Sequence, residues 1–454
     1  MQEDRAWGPG SHPGAAGYGE AVRAETIFAV SSGPVPSGVA VIRISGPHAR
    51  FVAETMAGGL PPPRRASLRR IRARDGRLLD EGLVLWMPGP RSFTGEDMAE
   101  LHVHGGRAVV AAVLEELGSL NGLRPAEAGD FSRRAFLNGR LDLTEIEGLA
   151  DLIGAETEWQ RRQAIRQADG ALRRLYEGWR SEILALRGFA EAELDFADEA
   201  DVPESVGAGL SEGAAVLASA IERHLADGHR GERLRAGFEV VLMGPPNAGK
   251  SSLLNALARR EAAIVSTTPG TTRDLIEIHL DIGGWPVTLV DAAGVRVGGD
   301  AIEQEGIRRA LTRASTADLV LWLDAADLPP SDPPADVDAE KVLRLVSKVD
   351  LSSDSKRGVS VETGAGLDDL LAAISERAAG QLLPGPEPAL TRTRHRAALD
   401  TAASALRRAS SVGLLPEFRA EELRHAGDAL GRVTGVIAVD DVLDVIFSQF
   451  CIGK

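Results

Sequence analysis

Hydrophobic positions along the chain change their spacing several times, and each change marks a different kind of element. From Thr26, TIFAV and then VAVIRIS are short apolar, β-branched runs of the kind that form strands. A helical stretch follows around Phe51 to Met56, then the strand-like EGLVLWMPG and the helix-like RAVVAAVLEEL. This alternation predicts a small α+β domain over 25–141. Over 142–236 the period lengthens toward 3.6, with Leu172, Leu175, Trp179, Ile183 and Leu186 in helical register, so the stretch reads as helical. FEVVLM, WPVTLVD, ADLVLWLD and KVLRLVS then alternate with helix-length segments across 237–379, the pattern of a doubly wound parallel sheet. After the break QLLPGPEP, helical spacing returns to the end of the sequence. The economical reading is one helical domain, 142–236 plus 380–454, split by an inserted α/β domain. Residues 1–24 are rich in Gly, Pro and Ala, lack the basic start and apolar core of a signal peptide, and read as a disordered tail.

Composition narrows the class. A chain of 454 residues with 44% hydrophobic and 26% charged residues suits about three soluble domains. The absence of any apolar run of about 18 residues argues against a membrane span. A net charge of -15 argues against a surface that coats nucleic acid throughout. It leaves room for local basic patches, of which Arg64-Arg65, Arg69-Arg70 and Arg392 to Arg396 are candidates for phosphate contacts. One cysteine, Cys451, excludes an intrachain disulfide and a multi-cysteine zinc site, and a cytosolic location is expected. Lysine occurs five times against 51 basic residues in all, so each lysine in an otherwise arginine-writing chain is informative.

The candidate chemistry is concentrated in the inserted domain. Gly244-Pro245-Pro246-Asn247-Ala248-Gly249-Lys250-Ser251 fits G-x-x-x-x-G-K-[ST], follows FEVVLM and opens the helix SSLLNALARR, with Ser252 in its first turn. Backbone N–H groups of such a loop cradle phosphates, Lys250 reaches the β and γ oxygens, and the Ser251 hydroxyl holds Mg²⁺. Asp291-Ala292-Ala293-Gly294 closes WPVTLV, where a carboxylate reaches the metal through water and a glycine N–H senses the γ-phosphate. Ser347-Lys348-Val349-Asp350 stands where guanine-binding proteins carry N-K-x-D, with serine in place of asparagine. Asp350 can accept from guanine N1 and N2, donors that adenine lacks, and Ser360-Val361-Glu362 reads as the loop closing over the base. Val295 cannot orient a water, so hydrolysis needs another device. Asn247 and the stretch Ser266-Thr267-Thr268-Pro269-Gly270-Thr271-Thr272 offer oxygen ligands for a monovalent cation that would supply the charge of an arginine finger.

These motifs, together with VIRISG, SFTGEDMAELHVHGG, FSRRAFLNGRLDLTEIEGLADLI and the final FCIGK, resemble the MnmE (TrmE) family of tRNA-modification GTPases from about Thr26 to Lys454. The resemblance implies an N-terminal α+β tetrahydrofolate-binding-like dimerisation domain, a helical domain and an inserted doubly wound P-loop G domain. It implies potassium-stimulated GTP hydrolysis, with Asn247, Ser266, Thr268 and Thr271 around K⁺, Ser251 and Thr272 on Mg²⁺, and Glu303 orienting the attacking water. It implies a homodimer that forms a heterotetramer with an FAD-dependent partner, MnmG. Together they place a carboxymethylaminomethyl-type group on C5 of the wobble uridine of certain tRNAs, drawing one carbon from 5-formyl- or 5,10-methylene-tetrahydrofolate. Arg43, Glu100, Arg140 and Lys454 match the folate positions, with Arg140 where the family usually has lysine. Cys451, with Gly453 and Lys454 after it, reads either as a buried structural thiol or, if the tail folds back onto the N-terminal domain, as a thiolate acting as a transient nucleophile or proton donor. The competing reading is a ribosome-assembly or RNA-binding GTPase switch. Such proteins usually append a compact basic domain, which this acidic chain lacks.

Overall fold

A computed structural model of the chain describes residues 25–195, 205–227, 229–260, 276–291, 308, 311–351, 358–437, 440–448, 450 and 452–453. The chain divides into two compact units, one of 1–150, 168–218 and 401–454, the other of 151–167 and 219–400.

The first unit is built on a six-stranded sheet of order β3-β4-β5-β2-β1-β6. Its strands are β1 (Thr26–Val30), β2 (Ser37–Ser45), β3 (Ser67–Arg72), β4 (Leu78–Met87), β5 (Met98–Gly105) and β6 (Leu123–Pro125). Two helices, α1 (Ala49–Met56) and α2 (Arg107–Gly118), pack on one face. Alternation in β2 sends Ala40, Ile42 and Ile44 into the core with Val52, Met56, Leu101 and Leu117, all at most 1% exposed. The same alternation turns Val41 and Arg43 to the opposite face.

Helices α3 (Asp130–Leu137), α4 (Leu143–Gly154), α6 (Ala171–Asp195), α12 (Pro416–Thr434) and α13 (Asp440–Ser448) contribute to this unit, and α12 lies along α6. α4 starts with a reciprocal cap. Asp142 Oδ1 accepts from the Glu145 N–H at 2.8 Å, and Glu145 Oε2 accepts from the Asp142 N–H at 2.9 Å. Arg173 of α6 bonds the same Glu145 oxygen at 3.0 Å. Among the described residues Asp142 Oδ2 and Thr434 Oγ1 are both buried without a hydrogen-bond partner, and both residues line one cavity of about 30 Å³. Burial, and then the neighbouring Glu145 carboxylate, push the Asp142 carboxyl up to about 7.

The second unit holds a five-stranded sheet of order β11-β10-β7-β9-β8, made of β7 (Phe238–Met243), β8 (Ile276–Ile282), β9 (Trp285–Asp291), β10 (Leu319–Ala325) and β11 (Val342–Ser347). β7, β9, β10 and β11 are parallel, and β8 adds an antiparallel edge. Every residue of β9 is buried, as expected for a strand covered on both faces. α9 (Lys250–Arg260) and α10 (Leu367–Leu382) supply Leu253, Leu257, Leu370 and Ile374 to its core. Helices α5 (Glu158–Ala168) and α8 (Arg230–Ala236) also belong to this unit. Trp159 of α5 stacks on Trp285 at the start of β9, with centroids 4.6 Å apart and planes 9° apart. The Trp159 N–H donates to the Gly284 carbonyl at 3.2 Å. Among the described residues no helix is long and apolar enough to cross a membrane.

Candidate functional site

The phosphate loop spans the turn from β7 to α9, and backbone geometry dictates its residues. Gly244 sits at φ 141°, and a Cβ there would lie 2.2 Å from the Leu323 carbonyl oxygen, so only glycine fits. Asn247 and Gly249 also take positive φ, 63° and 88°; asparagine is among the few other residues that tolerate this region. The loop ends at the N-terminus of α9, whose free N–H groups favour an anion.

Lys250 is buried, and its ammonium folds over the loop to donate to the Gly244 and Pro245 carbonyls at 2.9 and 2.8 Å. Burial lowers its pKa from 10.5, opposed by the Asp291 carboxylate. Both hydrogen bonds go to neutral carbonyls, which leaves the charge available to a phosphate. Ser251 donates to Asp291 Oδ2 at 2.7 Å, bringing together two hard oxygen donors suited to Mg²⁺.

The base end lies at the tip of β11. Asp350 Oδ1 accepts from Ser360 Oγ at 2.5 Å, so the two proposed base-side segments meet. Val361 is 39% exposed and Glu362 is exposed. Lys348, at φ 56°, pairs with Asp327 at 2.8 Å, and this contact holds the Asp327 carboxyl below its ordinary value. Asp327 was not singled out by the sequence motifs. Ser347, at the asparagine position of the N-K-x-D pattern, is 4% exposed and donates to the Ala248 carbonyl at 2.6 Å. Its hydroxyl ties the base loop to the phosphate loop. The expected residues Ser266, Thr267, Thr268, Pro269, Gly270, Thr271, Thr272, Ala292, Ala293, Gly294, Glu303, Cys451 and Lys454 lie outside the described residues.

In the first unit, Arg43 and Glu100 are direct cross-strand neighbours on β2 and β5 and form an ion pair at 3.0 Å. The Arg43 guanidinium lies 5.3 Å from the Phe93 ring and 5.8 Å from the Phe131 ring. His102, two residues along the same face of β5, contacts the other Glu100 oxygen at 3.2 Å. Sequence motifs did not identify His102 or Phe93. Arg140 packs over Gly95, two residues from Phe93, with its Cγ 3.1 Å from where a Gly95 Cβ would be. One loop therefore touches both cations.

Ile452 bridges to Ala128, and Gly453, at φ 98°, approaches the Val30 carbonyl so closely that a Cβ would lie 2.3 Å away. Val30 follows Ala29, the register partner of Arg43, so 452–453 dock on β1, the strand next to the one that carries Arg43.

Arg392 and Arg396 of the other basic run are spent on internal pairs, with Asp151 at 2.7 Å and Glu232 at 3.2 Å.

Two family models match the chain: "GTP-binding protein TrmE N-terminus" over residues 26–140 and "MnmE helical domain" over 143–451. Proteins named tRNA modification GTPase MnmE align along nearly their full length. That of Rhodospirillum rubrum is 54% identical, covering 95% of this chain and 99% of that protein. That of Methylorubrum populi is 56% identical over the same shares, and that of Brucella anthropi is 51% identical, covering 95% and 98%. The chain belongs to the MnmE family of tRNA modification GTPases.

Proposed function

We propose that this chain hydrolyses GTP to drive modification of the wobble uridine of tRNA. The observation that carries the reading is the Lys250 ammonium, buried and, among the described residues, hydrogen-bonded to two neutral carbonyls, beside the Ser251–Asp291 pair. Lys250 takes the β and γ oxygens, Ser251 and Asp291 hold Mg²⁺ directly and through water, and Asp350, oriented by Ser360, reads the guanine N1 and N2 donors. K⁺ is held by Asn247 with Ser266, Thr268 and Thr271, and it supplies charge near the phosphates. Thr272 completes the Mg²⁺ set, and Glu303 orients the water.

The segment 237–379 acts as the G domain, inserted into a helical domain of 142–236 and 380–454, and 25–141 is the folate-binding and dimerising domain. Arg43, Glu100 and Arg140 gather around one loop, which supports a tetrahydrofolate site: cations meet the folate carboxylates and the Glu100 carboxylate meets the pterin edge. The docking of 452–453 on β1, next to the strand that carries Arg43, supports a role there for Cys451 and Lys454. The FAD-dependent partner MnmG completes the modification in a heterotetramer, in the cytoplasm.

The test is mass spectrometry of wobble uridines from a strain lacking the gene and complemented with the chain. Restored modification by wild type, and its loss in Cys451→Ser with GTP turnover kept, is the expected result. Unmodified uridine despite active GTP hydrolysis would point to a ribosome-assembly switch instead.

A further inference from the structure

We propose that the arginine-rich edge of the first unit, from Arg64 to Arg77, grips the phosphate backbone of the tRNA. This rests on the reading of tRNA as the substrate. The chain has 51 lysines and arginines, five of them lysine, so arginine averages about one residue in ten, yet residues 64–77 hold seven arginines and a single acid, Asp75. In a chain of net charge -15 that concentration opposes the global trend. Discouraging strand pairing along the open edge of β3 would need only one or two charges.

The way these side chains are held is the stronger argument. Arg64 donates through Nη2 to the Pro88 and Arg91 carbonyls at 2.9 and 2.8 Å. Arg72 donates to the Gly76 carbonyl at 2.8 Å, and Arg69 to the Leu68 carbonyl at 3.3 Å. A carbonyl fixes a guanidinium without cancelling its charge. Arg64, Arg65, Arg69 and Arg72 make no ion pair among the described residues, so four charges remain open to an anion. Arg70, Arg74 and Arg77 make only exposed contacts with Glu81, Glu116 and Asp75 at 3.2, 3.9 and 3.8 Å.

β3 is the outermost strand of its sheet, so the row is open along one side. Arg69, Arg70 and Arg72 lie on β3 and Arg64 and Arg65 just before it, so several forked donors, each suited to a phosphate, line this one edge. Arg392 and Arg396, the rival basic run, lack this freedom because both are paired internally.

The experiment is filter binding of a tRNA transcript with uridine at the wobble position, across 50–200 mM KCl. Four phosphate contacts give a log–log salt slope of about -3 to -4, so wild type should lose on the order of 100-fold in affinity over that range. Arg65→Gln with Arg69→Gln should weaken binding about tenfold and make the slope shallower by about two, with GTP turnover and melting temperature unchanged. The Arg65→Lys and Arg69→Lys counterpart should stay within a few-fold of wild type, since a phosphate contact needs the charge. A glutamine variant that keeps wild-type affinity and slope overturns the proposal, as does a lysine variant that loses as much as the glutamine one. Wild-type chain that binds no tRNA removes the substrate reading and this surface together.

Discussion

Replacing Asp142 by asparagine should stabilise the first unit above neutral pH and leave it nearly unchanged in mild acid. Asp142 Oδ1 caps α4, while Oδ2 is buried and has no hydrogen-bond partner among the described residues. The carboxyl is pushed up to about 7 from 3.8, by burial first and Glu145 second. Between those two values the folded protein keeps a proton that the unfolded chain has already released. Stability therefore falls as pH rises through that window and levels off above about 7. A shift of about three units sets a ceiling near 4 kcal/mol, and about 2 kcal/mol is expected once relaxation of the unfilled cavity around the carboxylate is counted. Asparagine keeps the capping oxygen, carries no charge at any pH, and offers an amide donor to a cavity that has room for one water. For a unit of this size the gain at pH 8 corresponds to about 4–8 °C in Tm. Thermal unfolding of wild type and Asp142→Asn at pH 5, 6, 7 and 8 reads it directly. If the variant declines with pH as steeply as wild type, or melts lower at pH 8, Asp142 is not the buried proton site.

Three further outcomes follow from the sites. Asp350→Asn should shift nucleotide preference from GTP toward xanthosine triphosphate, whose C2 carbonyl replaces the guanine amino group; competition binding that still prefers GTP would remove Asp350 from the base site. GTP turnover should fall on the order of tenfold when Na⁺ replaces K⁺, and Glu303→Ala should lower kcat with little effect on nucleotide affinity, both read in a phosphate-release assay; equal rates in the two salts would discard the cation. Gly453→Val puts a Cβ 2.3 Å from the Val30 carbonyl and strains a φ of 98°, so the tail must lift. Equilibrium dialysis with 5-formyl-tetrahydrofolate should then show weaker binding while GTP turnover holds; unchanged binding would detach the tail from that site.

The nucleotide site was the most legible part of the sequence because its chemistry is local. The phosphate loop needs glycines and a lysine at fixed offsets, and Gly244 and Lys250 meet those needs within seven residues. Pairing between distant segments leaves no such trace. Arg43 and Glu100 are 57 residues apart, and no periodicity announces that β2 and β5 are neighbours or that His102 touches the same carboxylate. β8 was missed as an antiparallel edge for a related reason: its partner, not its composition, determines its direction. No motif announces that the buried Ser347 hydroxyl, at the end of β11, donates to the Ala248 carbonyl of the phosphate loop 99 residues away.

The stacked Trp159 and Trp285 give the protein a built-in optical label. Two indoles stacked face to face, 4.6 Å apart and nearly parallel, couple their strong transitions, so the pair should produce a circular dichroism couplet at about 220–230 nm that isolated tryptophans do not. Trp285 begins the strand that ends at Asp291, the carboxylate on the metal side of the nucleotide site, and that strand spans roughly 20 Å. Any nucleotide-driven displacement of β9 against α5 would change the couplet's amplitude, which allows the movement to be followed in unlabelled, full-length protein during turnover.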